Sequence, residues 1–186
     1  VHLKCSMLNK MPGEGWDKFR NLKVAYAFMM GHPGKKLLFM GQDLAEEKEW
    51  NEMRQVEWQL EEPKEKAGVQ KLVKDLNVLY RENKALYECD DQAKGFQWMN
   101  EISANECYVS FVRKGEEAEE LLLVVANFSG VPREITTGVP YEGKYKEILN
   151  TDAVQYGGTG VVNDRVKRAE DVEWDDKKQS VTVKMA

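Results

Sequence analysis

Gln42, Asp43, Glu46, Glu47, Glu49, Trp50 and Asn51 crowd into positions 42–51. Carboxylates at that density invite an acid–base reading. Cleavage or transfer at a sugar, however, needs two carboxylates on opposite sides of the scissile bond. Neighbours on one short loop do not supply that geometry. Glu46, Glu47 and Glu49 therefore read most simply as a solvated acidic turn, and the loop as one that touches a ligand without performing chemistry on it. Trp16, Trp50 and Trp58 each have a flat face suited to the C–H side of a sugar ring, and each also fits packing under a loop. Trp98 and Trp174 are expected in a β core.

Other chemistries find little support. The histidines are His2 and His32, and Cys5, Cys89 and Cys107 lie far apart with no C-x-x-C pair. No structural zinc site and no cofactor are expected. No nucleophile elbow occurs, and "YGGTGVVN" lacks the Lys-Ser/Thr of a phosphate-binding loop. A net charge of -5 with mixed signs lacks the basic stripe that neutralises phosphates, so nucleic acid is not an expected partner. No apolar run approaches the ~20 residues of a membrane helix. The cysteine usage and the absence of a signal-peptide h-region fit a cytoplasmic protein. The chain opens at Val1 without an initiator Met and reads as the middle of something longer.

What must position the loop is a set of elements with two periods. Phe19, Leu22, Tyr26 and Met29/Met30 recur at helical spacing over 16–30. Gly31 is expected to cap that helix in a left-handed conformation, and Pro33 to push His32 out of the helical region. Leu37–Met40 is short and apolar on both faces, as in a parallel-sheet strand covered on both sides. A second helix is expected over 67–82, through Val69, Leu72, Val73, Leu76, Leu79 and Tyr80. The 41–66 connection far exceeds the ~2–6 residues usual after such a strand, and parallel α/β folds place their sites in these loops.

From about residue 95 the period becomes two. Cys107, Val109 and Phe111 alternate with Tyr108, Ser110 and Val112, and "LLLVVANF", "KYKEILN" and "SVTVKM" follow, separated by Gly/Pro/charged turns. This half predicts short antiparallel strands in a sandwich or barrel, with the boundary near 87–95. One strand between two helices cannot form a sheet, so the first half is expected to be a fragment or to assemble with another chain.

Taken together, the residues resemble a known family. "VHLKCSMLNKMPGEGWDKFRNLKVAYAFMMGHPGKKLLFMGQDLAEEKEWN" resembles the C-terminal part of the barrel in bacterial 1,4-α-glucan (glycogen) branching enzymes, members of the α-amylase superfamily. "VEWQLEEPKEKAGVQKLVKDLNVLYRENKALYE", "GFQWMN", "LLLVVANFSGVPRE" and "EILNTDAVQYGG" extend the likeness from Val1 to Ala186. The resemblance implies an α/β plus all-β fold: the C-terminal remnant of a (β/α)8 barrel (TIM barrel) over 1–86, then an antiparallel β-sandwich over 87–186.

It also implies a glycosyltransferase of glycogen biosynthesis. Such an enzyme cleaves an α-1,4-glucan, holds the segment on an Asp and passes it to a 6-hydroxyl, forming an α-1,6 branch. The three acidic residues of that machinery would all precede Val1, so no catalytic residue and no metal is assigned here, and the chain alone is expected to be inactive. The resemblance makes Leu37–Met40 the eighth barrel strand and sets Gln42, Asp43, Trp50 and Asn51 along the glucan groove. His2 and Lys4 follow the seventh-strand motif and join the substrate-binding candidates. Leu3 stands where the family usually has Gly, and Asp43-Leu44 where Glu-Phe is common. The family also continues past "SVTVKMA" with a final strand. The implied partners are α-1,4-glucan (glycogen or amylose) and the N-terminal part of the same enzyme. Rival readings are another α-amylase relative, such as a trehalose-forming enzyme, and a noncatalytic glucan-binding or scaffold protein.

Overall fold

A computed structural model describes residues 3–58, 64–100, 105–117 and 120–186. Helix α1 (Trp16–Gly31) buries Phe19, Leu22, Tyr26 and Met30, the face expected from their spacing. Helix α2 (Lys64–Glu82) buries Gly68, Val69, Leu72, Val73 and Leu76. The two faces share one core with Leu8, Ala45 and Tyr156, and Leu38, Leu79 and Leu149 pack on its margin.

The end of α1 departs from expectation in one respect. Pro33 excludes the helical conformation at His32, which is extended at φ -71 and ψ 147, and the His32 N–H closes on the Phe28 carbonyl. Gly31, in contrast, stays within the helix and takes no left-handed cap. Its missing side chain serves proximity: a Cβ there would lie 3.2 Å from both methyls of Val124 and 3.5 Å from the Phe111 ring. The helix end is thereby seated on the β half.

Leu37–Met40 is not a strand. Among the described residues the first strand begins at Phe96, and Leu37, Phe39 and Met40 are 75, 47 and 50% exposed. A strand is defined by its hydrogen-bonded neighbour, and no described segment stands beside this one. Only Leu38 reaches the helical core.

The second half consists of antiparallel sheets. Strands β1 (Phe96–Asn100), β2 (Tyr108–Lys114) and β3 (Leu121–Asn127) form a sheet in that order, with Phe111 opposite both Trp98 and Val124. Strand β4 (Arg133–Val139) pairs with β7 (Gln179–Met185), Ile135 facing Val183. The short β5 (Lys144–Tyr145) pairs with β6 (Lys167–Arg168). The first two sheets meet where the Ser110 and Thr137 hydroxyls lie 2.7 Å apart and where Tyr108, Ile135 and Met185 pack together.

Four expectations change here. Cys107 sits outside the strand, exposed, at φ 54. Strand β2 does not alternate, since Ser110, Phe111, Val112 and Arg113 are all buried: one face meets the opposing sheet and the other the end of α1. The 144–150 stretch pairs only over two residues, because Glu147 and Asn150 turn toward the 161–163 segment and Leu149 toward the helices. Trp98 and Trp174 are 38 and 46% exposed. Trp98 stands edge-on to Phe96 and near Phe111 on an outer strand, and Trp174 lies in the turn that it closes with Lys177.

Candidate functional site

The 41–57 loop is braced by its own carboxylates. Gly41 turns the chain at φ 76, and a Cβ there would press on the Glu46 carboxyl at 2.7 Å. That carboxyl is buried and accepts the Glu57 N–H at 2.6 Å, closing the loop across its base. Glu47 pairs with Lys66 at 3.0 Å, and its carbonyl accepts the Asn9 side-chain amide at 2.7 Å. Glu49 Oε2 accepts the Cys5 N–H at 3.2 Å, while its carbonyl accepts Arg54 Nη2 at 2.8 Å. A freely solvated turn is thus not what forms. The signal missed in the sequence was Gly41, whose freedom lets a carboxylate fold back on the backbone.

The candidate residues divide into two groups. Gln42 is occupied structurally: its Oε1 accepts the Phe39 N–H at 2.9 Å, and its carbonyl accepts the Tyr26 hydroxyl at 2.8 Å. Asp43 adjoins the same phenol, which burial first and the Asp43 charge second push well above its ordinary value. Trp50 is half-buried and stands edge-on to Phe39, with ring centroids 5.2 Å apart. Asn51 is exposed and its Oδ1 accepts the Met53 N–H at 2.8 Å. Lys4 is exposed beside Cys5, so the Cys5–Glu49 and Asn9–Glu47 bonds bring the Lys4 segment to the loop that carries Trp50 and Asn51. His2 lies outside the described residues. Trp58 is 72% exposed, and Trp16 carries the Arg20 guanidinium 4.7 Å from its ring centre.

No group of three or more potential metal ligands occurs among the described residues, and no described helix is long and apolar enough to cross a membrane. A cleft of about 1100 Å³ opens between α1, β3 and residues 141–152. Its lining includes none of the candidate residues. One buried charge of its lining, Lys23, is already committed: Nζ donates to the Tyr156 carbonyl at 3.0 Å, and burial holds this amine below its ordinary value, partly offset by Asp152.

Two buried connections escaped sequence reasoning. Arg113 is fully buried, and its guanidinium donates to the carbonyls of Gly95, Gly31 and Leu86 and to the Asp90 carboxylate at 3.2, 2.9, 3.1 and 2.7 Å. The 150–161 loop, in turn, docks on the helices. Tyr156 enters their core and its hydroxyl donates to Asp75 at 2.8 Å, while Asp152 accepts the Thr159 hydroxyl and the N–H groups of Thr159 and Val161, each at 3.0 Å. Burial pushes the Asp152 carboxyl up, but these donors outweigh it and leave the group below its ordinary value.

Comparison with known proteins adds kinship to this geometry. Residues 98–186 match the family described as "Alpha amylase, C-terminal all-beta domain". Over 175 residues, 94% of this chain and 24% of the relative, the sequence is 47% identical to 1,4-alpha-glucan branching enzyme GlgB of Rubrobacter xylanophilus. It is 44% identical to the same-named enzyme of Aquifex aeolicus over 98% of this chain and 29% of the relative. For that of Roseobacter denitrificans the figures are 49% identity over 88% of this chain and 22% of the relative. The chain thus spans less than a third of the length of these curated relatives.

Proposed function

We propose a function from one premise: the chain is homologous, over most of its length, to the C-terminal part of 1,4-alpha-glucan branching enzymes, and its residues 98–186 belong to the alpha-amylase C-terminal all-β family. It is the C-terminal portion of a branching enzyme whose whole protein cleaves an α-1,4-glucan and transfers the segment to a 6-hydroxyl. Residues 1–86 complete a (β/α)8 barrel and 87–186 form the β domain that follows it. The substrate is glycogen or amylose, and the protein works in the cytoplasm.

The observation that carries this reading is 47% identity across 94% of the chain. The exposed Leu37, Phe39 and Met40 support it, since they lie on the segment that would be the eighth barrel strand and need neighbouring strands to cover them. In this reading the chain supplies groove wall and not reacting groups. Lys4, Trp50 and Asn51 face the glucan, Asp43 borders it, and Gln42 holds the turn that leads to Trp50 and Asn51. Retaining transfer requires a nucleophile and an acid/base carboxylate ~5 Å apart from different strand ends, so residues 1–186 alone are expected to show no branching.

The test is to purify the full-length gene product, incubate it with amylose, and follow the iodine complex and the chains released by a debranching enzyme. New α-1,6-linked chains are expected. A protein that binds maltooligosaccharides yet leaves amylose unbranched would replace this reading with that of a glucan-binding scaffold.

A further inference from the structure

Glu49 joins two segments whose backbones lie 44 residues apart in sequence, through the 3.2 Å bond from Cys5 N–H to Oε2. The segment it holds is strained. Leu3 and Cys5, on either side of Lys4, are both left-handed at φ 59 and 66 without being glycine. Such residues revert to ordinary conformations unless their surroundings over-determine them. The surroundings here are the loop's own. Asn9 is tied to the Glu47 carbonyl, and Ser6 and Leu8 are buried just beyond.

Glu49 is in turn fixed at its backbone, where Arg54 Nη2 donates to its carbonyl, and it immediately precedes Trp50. One residue therefore sets the loop that presents the ring and, through its carboxylate, the course of the chain through Lys4. Its Oε1 is shut off from solvent and has no hydrogen-bond donor among the described residues.

We propose that Glu49 is a positioning residue of the glucan groove, holding the Lys4 segment in register with the Trp50–Asn51 loop. This rests on the reading of the chain as part of a branching enzyme. It assigns Glu49 no contact with the glucan. Its effect is exerted through Cys5 and reaches the substrate as the placement of Lys4 against Trp50.

The experiment uses the full-length enzyme with amylose as substrate, four single variants, Glu49→Ala, Glu49→Gln, Glu49→Asp and Lys4→Ala, and the double Lys4→Ala/Glu49→Ala variant. Gln keeps an oxygen able to accept the Cys5 N–H, Ala removes it, and Asp withdraws it by one methylene. Misplacing a binding group by about 1 Å can cost up to about a hundredfold. Glu49→Ala and Glu49→Asp are therefore expected to raise KM at least about fivefold with kcat little changed, and Glu49→Gln to stay within about twofold of wild type. Adding Lys4→Ala to Glu49→Ala is expected to raise KM no further, because Lys4 is already out of place.

Three results would overturn the proposal: an unchanged KM in Glu49→Ala and Glu49→Asp, a Gln variant as impaired as Ala, or fully additive effects of Lys4→Ala and Glu49→Ala. If Glu49→Ala fails to fold, the contrast of Asp with Gln decides. An enzyme that branches amylose normally with all four variants overturns the positioning role alone. A wild-type protein with no branching activity overturns the underlying reading instead.

Discussion

Arg113 Nη1 lies 2.9 Å from the carbonyl oxygen of Gly31, at the last residue of α1. A strand residue of the β half thus supplies the hydrogen bond that a helix end otherwise leaves open. The same guanidinium reaches Leu86, Gly95 and Asp90, so one planar cation ties the helical half, the connecting segment and the sheet. No other side chain has five donors fixed in one plane.

Arg113→Met is accordingly expected to destabilise the protein by ~3–5 kcal/mol, since it strands the Asp90 carboxylate and three carbonyls. Urea unfolding followed by tryptophan fluorescence measures this. A loss below ~1 kcal/mol, the scale of an exposed pair, would show that water replaces the guanidinium at no cost.

Asp152→Asn removes an acceptor whose ionised form is stabilised by Thr159 and Val161. A carboxyl held below its ordinary value of ~3.9 contributes stability that is fully present above that value and is lost as pH falls through the depressed one. The variant should be less stable by ~1–3 kcal/mol at neutral pH. The difference should narrow below pH ~4, as the wild-type carboxyl takes up its proton. Thermal melts at several pH values test both parts, and a gap that widens in acid would contradict the assignment.

Gly68→Ala would improve the intrinsic helix propensity of α2 by ~1 kcal/mol. A Cβ there collides with the Tyr156 carbonyl oxygen, which already accepts Lys23. Backbone yields poorly, so a net loss of ~1–3 kcal/mol is expected. A raised melting temperature would mean that the 154–157 turn is free to lift from the helix.

On the proposed reading of the chain as part of a branching enzyme, Trp50→Ala in the full-length protein is expected to weaken maltoheptaose binding about tenfold, or ~1.4 kcal/mol, with the fold retained. Isothermal titration measures it. Wild-type affinity and wild-type branching rate together would remove Trp50 from the groove.

How much of this was legible in the sequence depended on whether a partner lay within the chain. Both helices were readable because Phe19, Leu22 and Tyr26, or Val69, Leu72 and Leu76, bury their faces against one another. Leu37–Met40 carries the composition of a strand, but composition does not provide a neighbour, and the described residues contain none for it. Strands β1 and β4 went unrecognised because their sequences, FQWMN and REITTGV, mix polar and apolar residues and borrow their order from β2 and β7. Arg113 was opaque for a related reason. An arginine in an alternating run suggests a solvent face, and only the arrival of α1 turns that face inward. Among the site candidates, the loop was visible as a cluster of residue types. The engagement of Gln42 with Phe39 and Tyr26 depended on long-range folding that spacing does not encode.

The three cysteines make the Arg113 joint accessible to kinetic measurement. Cys5 and Cys107 are exposed, whereas Cys89 is buried, one residue from Asp90 and packed beneath Gly95. Its thiol is pushed up by burial and then by Glu116, which further slows attack on any reagent. A disulfide dye added to the native protein will therefore titrate two thiols promptly and a third only during openings of this region. The rate of that third reaction, compared with global unfolding, reports whether the helical and β halves separate as a unit or come apart only when the whole chain unfolds.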